Sequence, residues 1–567
     1  MEASAVAPLV GDHPPALDAA TLCEAFQLTA AGSPDQVALR TPGGDLEITF
    51  ADYSARVEKL AAALSALGIG RGDTVAMMMT NRPEFHLVDT AGFHLGATPF
   101  SVYNTSSPGQ IEHLLDNADA RVLVCEQQFL ETVRAADVPK LEHIVLVDGE
   151  AEGTTSLAEL EAPGESDFDF EAAWRAVKPG DVATLIYTSG TTGPPKGVEL
   201  THENLMAESR ACAQVLPMTL GGRQTSYLPS AHIADRWMCH YYASITFGAT
   251  ITSVADPRAV VAALPEVRPT VWGAVPRIWE KIKAALEAQG IADPSALPEE
   301  TKTAVRAKLG LDDATWMISG AAPIPDEVLE YFTALGLPIC ELWGMSEISC
   351  CAIVNPPEDI RIGTVGKPLP GIEAKLLEDG ELVVRGPIVM RGYRKQPDKT
   401  AEAVDSEGWM HTGDIAEIDA DGYVKIVDRK KELIINAAGK NMSPANIEQR
   451  LKASSGLIGQ AACIGDRRSY NVALLVLDPD ACAQLASEQG LEDASAGALS
   501  EREDVQAEVA RGVEEANGHL SRVEQIKRFK ILPEDWEPGG DELTPTMKLK
   551  RKPIAAKYEA EIDALYA

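Results

Sequence analysis

Between about residue 50 and residue 270, short apolar runs alternate with runs of helical period. DTVAMMM (73–79), ARVLVCE (120–126), HIVLVDG (143–149) and DVATLIYT (181–188) read as buried strands, and ARVEKLAAALSALG (55–68) as an amphipathic helix. Parallel strands need a crossover between them, and a helix is the usual one. The alternation therefore predicts an α/β fold with layers of helices around largely parallel sheets. At 567 residues the chain is too long for a single core.

The texture changes near residue 370. AKLLEDGELVVRG and IAEIDADGYVKIVDR each set an Asp-Gly pair between alternating apolar runs, the pattern of antiparallel hairpins. After DRKKELIINAAGKN (428–441), Ser443 is placed to cap a helix that has Pro444 at its first position. Short strands follow (AACIGD, NVALLVL, IKRFKIL), and 485–520 reads as mostly helical. The expected organisation is a loose segment 1–20 and a large α/β/α region 21–430, whose small β subdomain spans about 370–430. A small mobile α+β domain, 431–567, follows a hinge at Lys431.

Charge excludes one class of partner. With 50 basic and 85 acidic residues the formal net charge is -35, which repels a phosphate backbone and argues against nucleic-acid binding. An anionic substrate would need a local positive site inside that field. The cysteines form no CxxC and no zinc spacing, their number is odd, and the start lacks a secretory signal. No apolar run reaches the ~20 residues that span a bilayer. A cytoplasmic location is expected. Peripheral membrane contact and self-association stay open.

One stretch points to chemistry. YTSGTTGPPKG (187–197) packs small hydroxyl side chains and glycines behind the apolar run Val182–Ile186, and ends in a lysine. Glycines let backbone N–H groups turn inward around an anion, hydroxyls add donors, and Lys196 adds a mobile charge. The predicted structure is a strand, then a phosphate-holding loop, then a helix capped by Thr201. The spacing is not GxxxxGK[ST].

YTSGTTGPPKGVELTH resembles the signature of the adenylate-forming superfamily, which comprises acyl-CoA synthetases, luciferases and peptide-synthetase adenylation domains. Further motifs follow in the family's order, and the resemblance covers essentially the whole chain after residue 20 or so. It implies that Thr188, Ser189, Gly190, Thr191, Thr192, Gly193 and Lys196 hold ATP phosphates. SGAAP (319–323) resembles the adenine-side strand and turn, through Gly320, Ala321 and Ala322. ELWGMSEIS (341–349) resembles Y-G-x-T-E, with Trp343 for Tyr and Ser346 for Thr. Trp343 would stack on adenine, Gly344 and Met345 would border it, Ser346 would meet the α-phosphate, and Glu347 would bind Mg²⁺ with Thr188 as a second contact. HTGD (411–414) and DRK supply Asp414 and Arg429 for the ribose.

Other motifs concern motion and the acyl group. Lys431 matches the family's hinge position, and Gly439 and Lys440 the loop shaping the CoA tunnel. LPSAHIADR (228–236) borders the acyl pocket, with His232 near the adenylate and Arg236, Trp237 and Trp272 as weaker lining candidates. Asp235 with Arg236 is the alternative, as a scaffold ion pair. LTPTMKLKRKP (543–553) stands where the family has T-x-S-G-K. Counted from Thr546, the essential lysine is Lys550, with Lys548 as the alternative. Lys550, Glu347, Thr188 and His232 are the expected catalytic group.

WGAVPRIWEKIK (272–283) resembles the PR-x-W-E-K segment of long-chain and bubblegum-type acyl-CoA synthetases. The implied activity is that of an ATP-, Mg²⁺- and CoA-dependent fatty acid–CoA ligase working through acyl-AMP. A fatty acyl-AMP ligase that loads a carrier protein, a luciferase-like oxygenase and a catalytically dead nucleotide binder are the competing readings.

Overall fold

The computed structural model describes residues 13–162, 167–188, 194–435, 441–544 and 547–567. The largest sheet has eight strands. Their order is Gly392–Tyr393, Lys196–Thr201, Val182–Thr188, Thr98–Ser101, Thr74–Met78, Val122–Cys125, His143–Leu146 and Thr155–Ser156. The strands from Val182–Thr188 onward are parallel, and the first two are antiparallel additions. The apolar runs singled out in the sequence form the middle of this sheet. They are buried there on both faces, which is why they lack alternation.

A second sheet runs Val271–Ala274, Trp316–Ser319 and Ile339–Trp343 in parallel, then adds Ile353–Val354 and Lys367–Pro368 antiparallel. The two Asp-Gly hairpins form one antiparallel sheet of Glu373–Leu376, Glu381–Arg385, Met410–Ile418 and Val424–Arg429. Beyond it lies the small C-terminal domain. Its strands Ile458–Ile464, Asn471–Leu477 and Ile526–Ile531 pair together, and helices Pro444–Ser454 and Glu503–Gly518 pack with them around a separate core. Ser443 caps Pro444–Ser454 as expected, accepting from the Asn446 N–H.

Two local expectations change, and one element is new. The chain after Val182–Thr188 does not run from loop to helix. It returns as the antiparallel strand Lys196–Thr201, and only then does Thr201 cap the helix His202–Ala213, in a capping box with Asn204. The N-terminal segment is not loose from residue 15 on: Ala16, Leu17 and Ala19 are buried, and Arg210 donates to the Leu17 and Ala19 carbonyls. After the short helix Ile233–Asp235 comes a wide π-helix, Arg236–Thr246, buried throughout.

Candidate active site

The small antiparallel sheet sets the first part of the site. Asp414 and Arg429 are cross-strand partners, and the Arg429 Nε lies 2.7 Å from Asp414 Oδ1. Trp343 ends a strand of the second sheet and donates its indole N–H to Asp414 Oδ2 at 2.8 Å. Asp414 is only 3% exposed, so burial raises its pKa, and the Arg429 charge and the Trp343 hydrogen bond act against that rise. Trp343, Asp414 and Arg429 come together as the motifs imply. The indole–carboxylate bond was not anticipated; it depends on Trp standing where the family has Tyr.

After Trp343 the chain turns sharply. A Cβ on Gly344 would lie 1.6 Å from the Cys350 carbonyl oxygen, so only glycine fits. Met345 follows, and Ser346 and Glu347 open a short 3-10 turn, both largely buried. Glu347 Oε1 accepts from the Tyr393 hydroxyl at 2.8 Å, and the Lys196 ammonium lies 3.8 Å from the centre of the same ring. Tyr393 thus joins the metal-ligand candidate Glu347 to Lys196, the candidate phosphate-binding lysine. It was missed because nothing in RGYRK sets it apart from a core aromatic. Only its pairing with Val198 brings it beside Lys196. Desolvation lowers the pKa of Lys196, and the Glu347 carboxylate opposes this. Thr188 pairs with Lys196 across the two antiparallel strands. Ser189, Gly190, Thr191, Thr192 and Gly193 lie outside the described residues.

The lysine assignment from the family pattern is corrected. Lys550 caps the last helices through its backbone, and its ammonium donates to the Gly540 carbonyl at 2.7 Å. Lys548 instead faces the site: Arg429, Asp414, Glu347 and Glu432 are its electrostatic neighbours. The reason is backbone geometry. Met547 has φ +64°, the left-handed conformation that glycine adopts most readily. Met547 therefore stands for the glycine, and the lysine after it is Lys548. Lys548 is exposed to solvent, with the charges of Arg429, Asp414, Glu347 and Glu432 around it. Desolvation and Arg429 lower its pKa, against the pull of the carboxylates.

His232 sits across from this lysine. Its Nδ1 accepts from the Ala234 N–H at 3.1 Å, leaving Nε2 as the ring's donor when neutral. Burial, and secondarily the Lys548 charge, push its pKa down to about 4, so the ring stays neutral. On the adenine side, the strand Trp316–Ser319 ends at Gly320, and Ala321 takes φ +68°. Ala321 and Ala322 lie exposed, presenting a flat, small-residue edge.

The weaker pocket candidates are scaffold. Arg236 is fully buried and pairs with Asp89, not Asp235, and also donates to the Ser230 carbonyl, Ser101 and Tyr241. Asp235 accepts from Ser226 instead, and burial raises it to about 7. Trp237 stacks on Tyr242, and Trp272 donates to Thr225 Oγ1 between Tyr227 and Trp279. All of these lie in packed core: the π-helix buries Arg236 and Trp237 with the rest of its circumference, and the parallel strand Val271–Ala274 buries Trp272.

Lys431 is exposed at the end of Val424–Arg429, just before the small domain. Asp428 of the large domain ties the two parts, accepting from Ser443 and from the Ala445 N–H, and Arg551 bridges Glu432 and Glu448 within the small domain. Gly439 and Lys440 lie outside the described residues.

The candidate Mg²⁺ site has one protein carboxylate, Glu347. Among the described residues no group of three His, Cys, Asp or Glu side chains could hold a metal alone. One carboxylate beside a lysine-lined phosphate site fits Mg²⁺, which prefers substrate phosphates and water to a full protein cage.

A large α/β domain, a small lid and a cleft joining Trp343, Asp414, Arg429, Glu347 and Lys548 define an adenylate-forming enzyme fold. The chain belongs to the AMP-binding enzyme family: it matches that family over residues 26–394 and the AMP-binding enzyme C-terminal domain over residues 431–567. It is 54% identical over 454 residues to the putative fatty-acid–CoA ligase fadD11 of Mycobacterium tuberculosis, covering 74% of this chain and 79% of that one. It is 35% identical to the long-chain-fatty-acid–CoA ligase FadD15 of the same species, over 92% of each chain. Among solved structures, the anthranilate CoA ligase AuaEII in complex with anthranoyl-AMP shares the fold. The TM-score is 0.77 at 22% identity, over 96% of this chain and 98% of that one.

Proposed function

We propose that this enzyme joins a fatty acid to CoA in two steps. The acid's carboxylate oxygen attacks the α-phosphorus of ATP, forming acyl-AMP and releasing pyrophosphate. The CoA thiol then attacks the acyl carbon, the C–O bond to phosphate breaks, and AMP leaves. The observation that carries this reading is the arrival of Lys548, from the small domain, among Asp414, Arg429 and Glu347 of the large one.

Each residue has a part. Trp343 and the Gly320–Ala322 edge hold the base. Asp414, steadied by Arg429 and Trp343, accepts from the ribose hydroxyls. Lys196 and the loop before it hold the β/γ phosphates. Mg²⁺ on Glu347 would neutralise phosphate charge during the attack. Lys548 stabilises the oxyanions that crowd together at the α-phosphorus, and His232 Nε2–H donates to a phosphate or acyl oxygen. Nothing needs a covalent enzyme intermediate, so catalysis is positioning and electrostatics. These cations form the local positive site that a chain of net charge -35 needs for an anionic substrate.

Lys548 must leave before CoA enters. Rotation of 431–567 about Lys431 clears it, and the segment with Gly439 and Lys440 then shapes the thiol tunnel. The fatty-acid substrate follows from the relatives' names together with the PR-x-W-E-K motif. The nine cysteines are all free and buried, which suits a reducing compartment, and we place the enzyme in the cytoplasm.

The test is acid-dependent pyrophosphate release, with and without CoA, over fatty acids from about C4 to C20 and aromatic acids. Steady turnover only with CoA is expected. A single burst that ignores CoA would favour an acyl-AMP ligase serving a carrier protein.

A further inference from the structure

The PR-x-W-E-K segment has a job that its resemblance does not supply. It forms the helix Pro276–Ala288, which buries Trp279, Ile282 and Leu286 in the large domain. Arg277 and Lys281, one turn apart, face the small domain instead. Arg277 pairs with Asp478, and the Lys281 Nζ lies 2.5 Å from Asp480 Oδ2. Asp478 is also the N-cap of the lid helix Pro479–Gln489: its Oδ1 accepts from the Asp480 and Ala481 N–H groups, while Oδ2 takes Arg277. A third bridge, Arg450 to Glu327 at 3.3 Å, crosses the same boundary with the signs exchanged.

This contact connects to the active site through the packing of the small domain. Asp478 directly follows the strand Asn471–Leu477. Leu474 and Val476 of that strand share a core cluster with Leu543, and Leu543 pairs with Leu549, the residue after Lys548. Holding Asp478 therefore bears, through this core, on where Lys548 sits.

We propose that Arg277 and Lys281 are positioning residues for acid activation: they clamp the lid in the pose that puts Lys548 in the cleft, and the clamp opens for thioester formation. The proposal rests on the two-step reading above. A scaffold role would weaken both half-reactions together. A clamp on one pose weakens only the first.

The experiment compares wild type, Arg277→Gln, Lys281→Asp and Lys281→Asp/Asp480→Lys. Acid-dependent ATP–pyrophosphate exchange reads the first step. Thioester formation from supplied acyl-AMP and CoA reads the second. Exchange is expected to fall about tenfold in the two single variants, with the second step unchanged or faster, and to recover in the charge-swapped pair. Equal loss in both steps, or no recovery on swapping, overturns the clamp. Energy transfer between dyes at Gln289→Cys and Glu488→Cys, without ligand, reads the pose even if no acid is turned over. Lower transfer in the single variants supports the clamp, and unchanged transfer overturns it. Absence of exchange in wild type with every acid would count against the functional reading alone.

Discussion

The indole nitrogen of Trp343 lies 2.8 Å from one oxygen of Asp414, and the Nε of Arg429 lies 2.7 Å from the other. Both oxygens of the ribose-binding candidate are thus held before any nucleotide arrives. Trp343→Phe keeps an aromatic face and removes only the N–H. A buried oxygen left unpaired costs about 1–3 kcal/mol, so KM for ATP should rise about tenfold. The preference for ATP over 2′- and 3′-deoxy-ATP should shrink with it. An unchanged preference would show that the indole only stacks.

Lys548→Ala should slow pyrophosphate release by about 10²–10³ while leaving the fold intact. Lys550→Ala loses a bond to the Gly540 carbonyl and should cost stability far more than rate. Single-turnover kinetics paired with thermal melts separate the two. If Lys550→Ala shows the large rate loss, the assignment reverts to Lys550.

Tyr393 carries two functions on one ring, and two variants split them. Tyr393→Phe keeps the face under Lys196 and frees Glu347, so its effect should appear as weaker dependence on Mg²⁺ concentration. Tyr393→Leu also removes the cation–π contact, worth about 0.5–2 kcal/mol, and should raise KM for ATP further. Identical kinetics in the two variants would dismiss the ring's role.

The pH dependence of acid activation follows from two shifts. Lys548 acts as an ammonium and its pKa is lowered, so activity should fall on the basic side below the ordinary lysine value. His232 titrates near 4, so it contributes no change of charge between about pH 5 and 8. His232→Gln should therefore lower the rate without changing the profile's shape in that range. A limb near 6.5 that vanishes in His232→Gln would contradict the neutral ring.

Asp235 gives a stability prediction of definite sign. Its folded pKa is about 7 against an ordinary 3.8. Between those values the folded state holds a proton that the unfolded state has released, so stability falls as pH rises through this window. Asp235→Asn removes the term. It should stabilise the protein at pH 8 by on the order of 2–4 kcal/mol and much less below pH 4, measured by urea melts. Equal gains at both pH values would refute this reading of the carboxyl.

Much of the fold was legible because it is local. The strand runs, the Asp-Gly hairpins and the Ser443-Pro444 helix start each follow from a few adjacent residues. The motif residues Asp414, Arg429, Trp343 and Glu347 were legible through their order along the chain. The weak acyl-pocket candidates failed for the opposite reason. Arg236, Trp237 and Trp272 look like lining residues in sequence, but a π-helix and a parallel sheet turn them inward, and neither has a local signature. Arg236 finds its partner in Asp89, far away in the chain.

From residue order alone come the layered α/β character, the family and most of the candidate nucleotide-binding residues, since each rests on near neighbours and spacing. Tertiary structure had to decide which lysine enters the cleft, that Tyr393 joins Glu347 to Lys196, and that the PR-x-W-E-K helix grips the lid. Each of these depends on a backbone angle or on a meeting of segments far apart in the chain, as between Arg277 and Asp478. Such meetings are set by how whole elements pack, and no local window of sequence contains them.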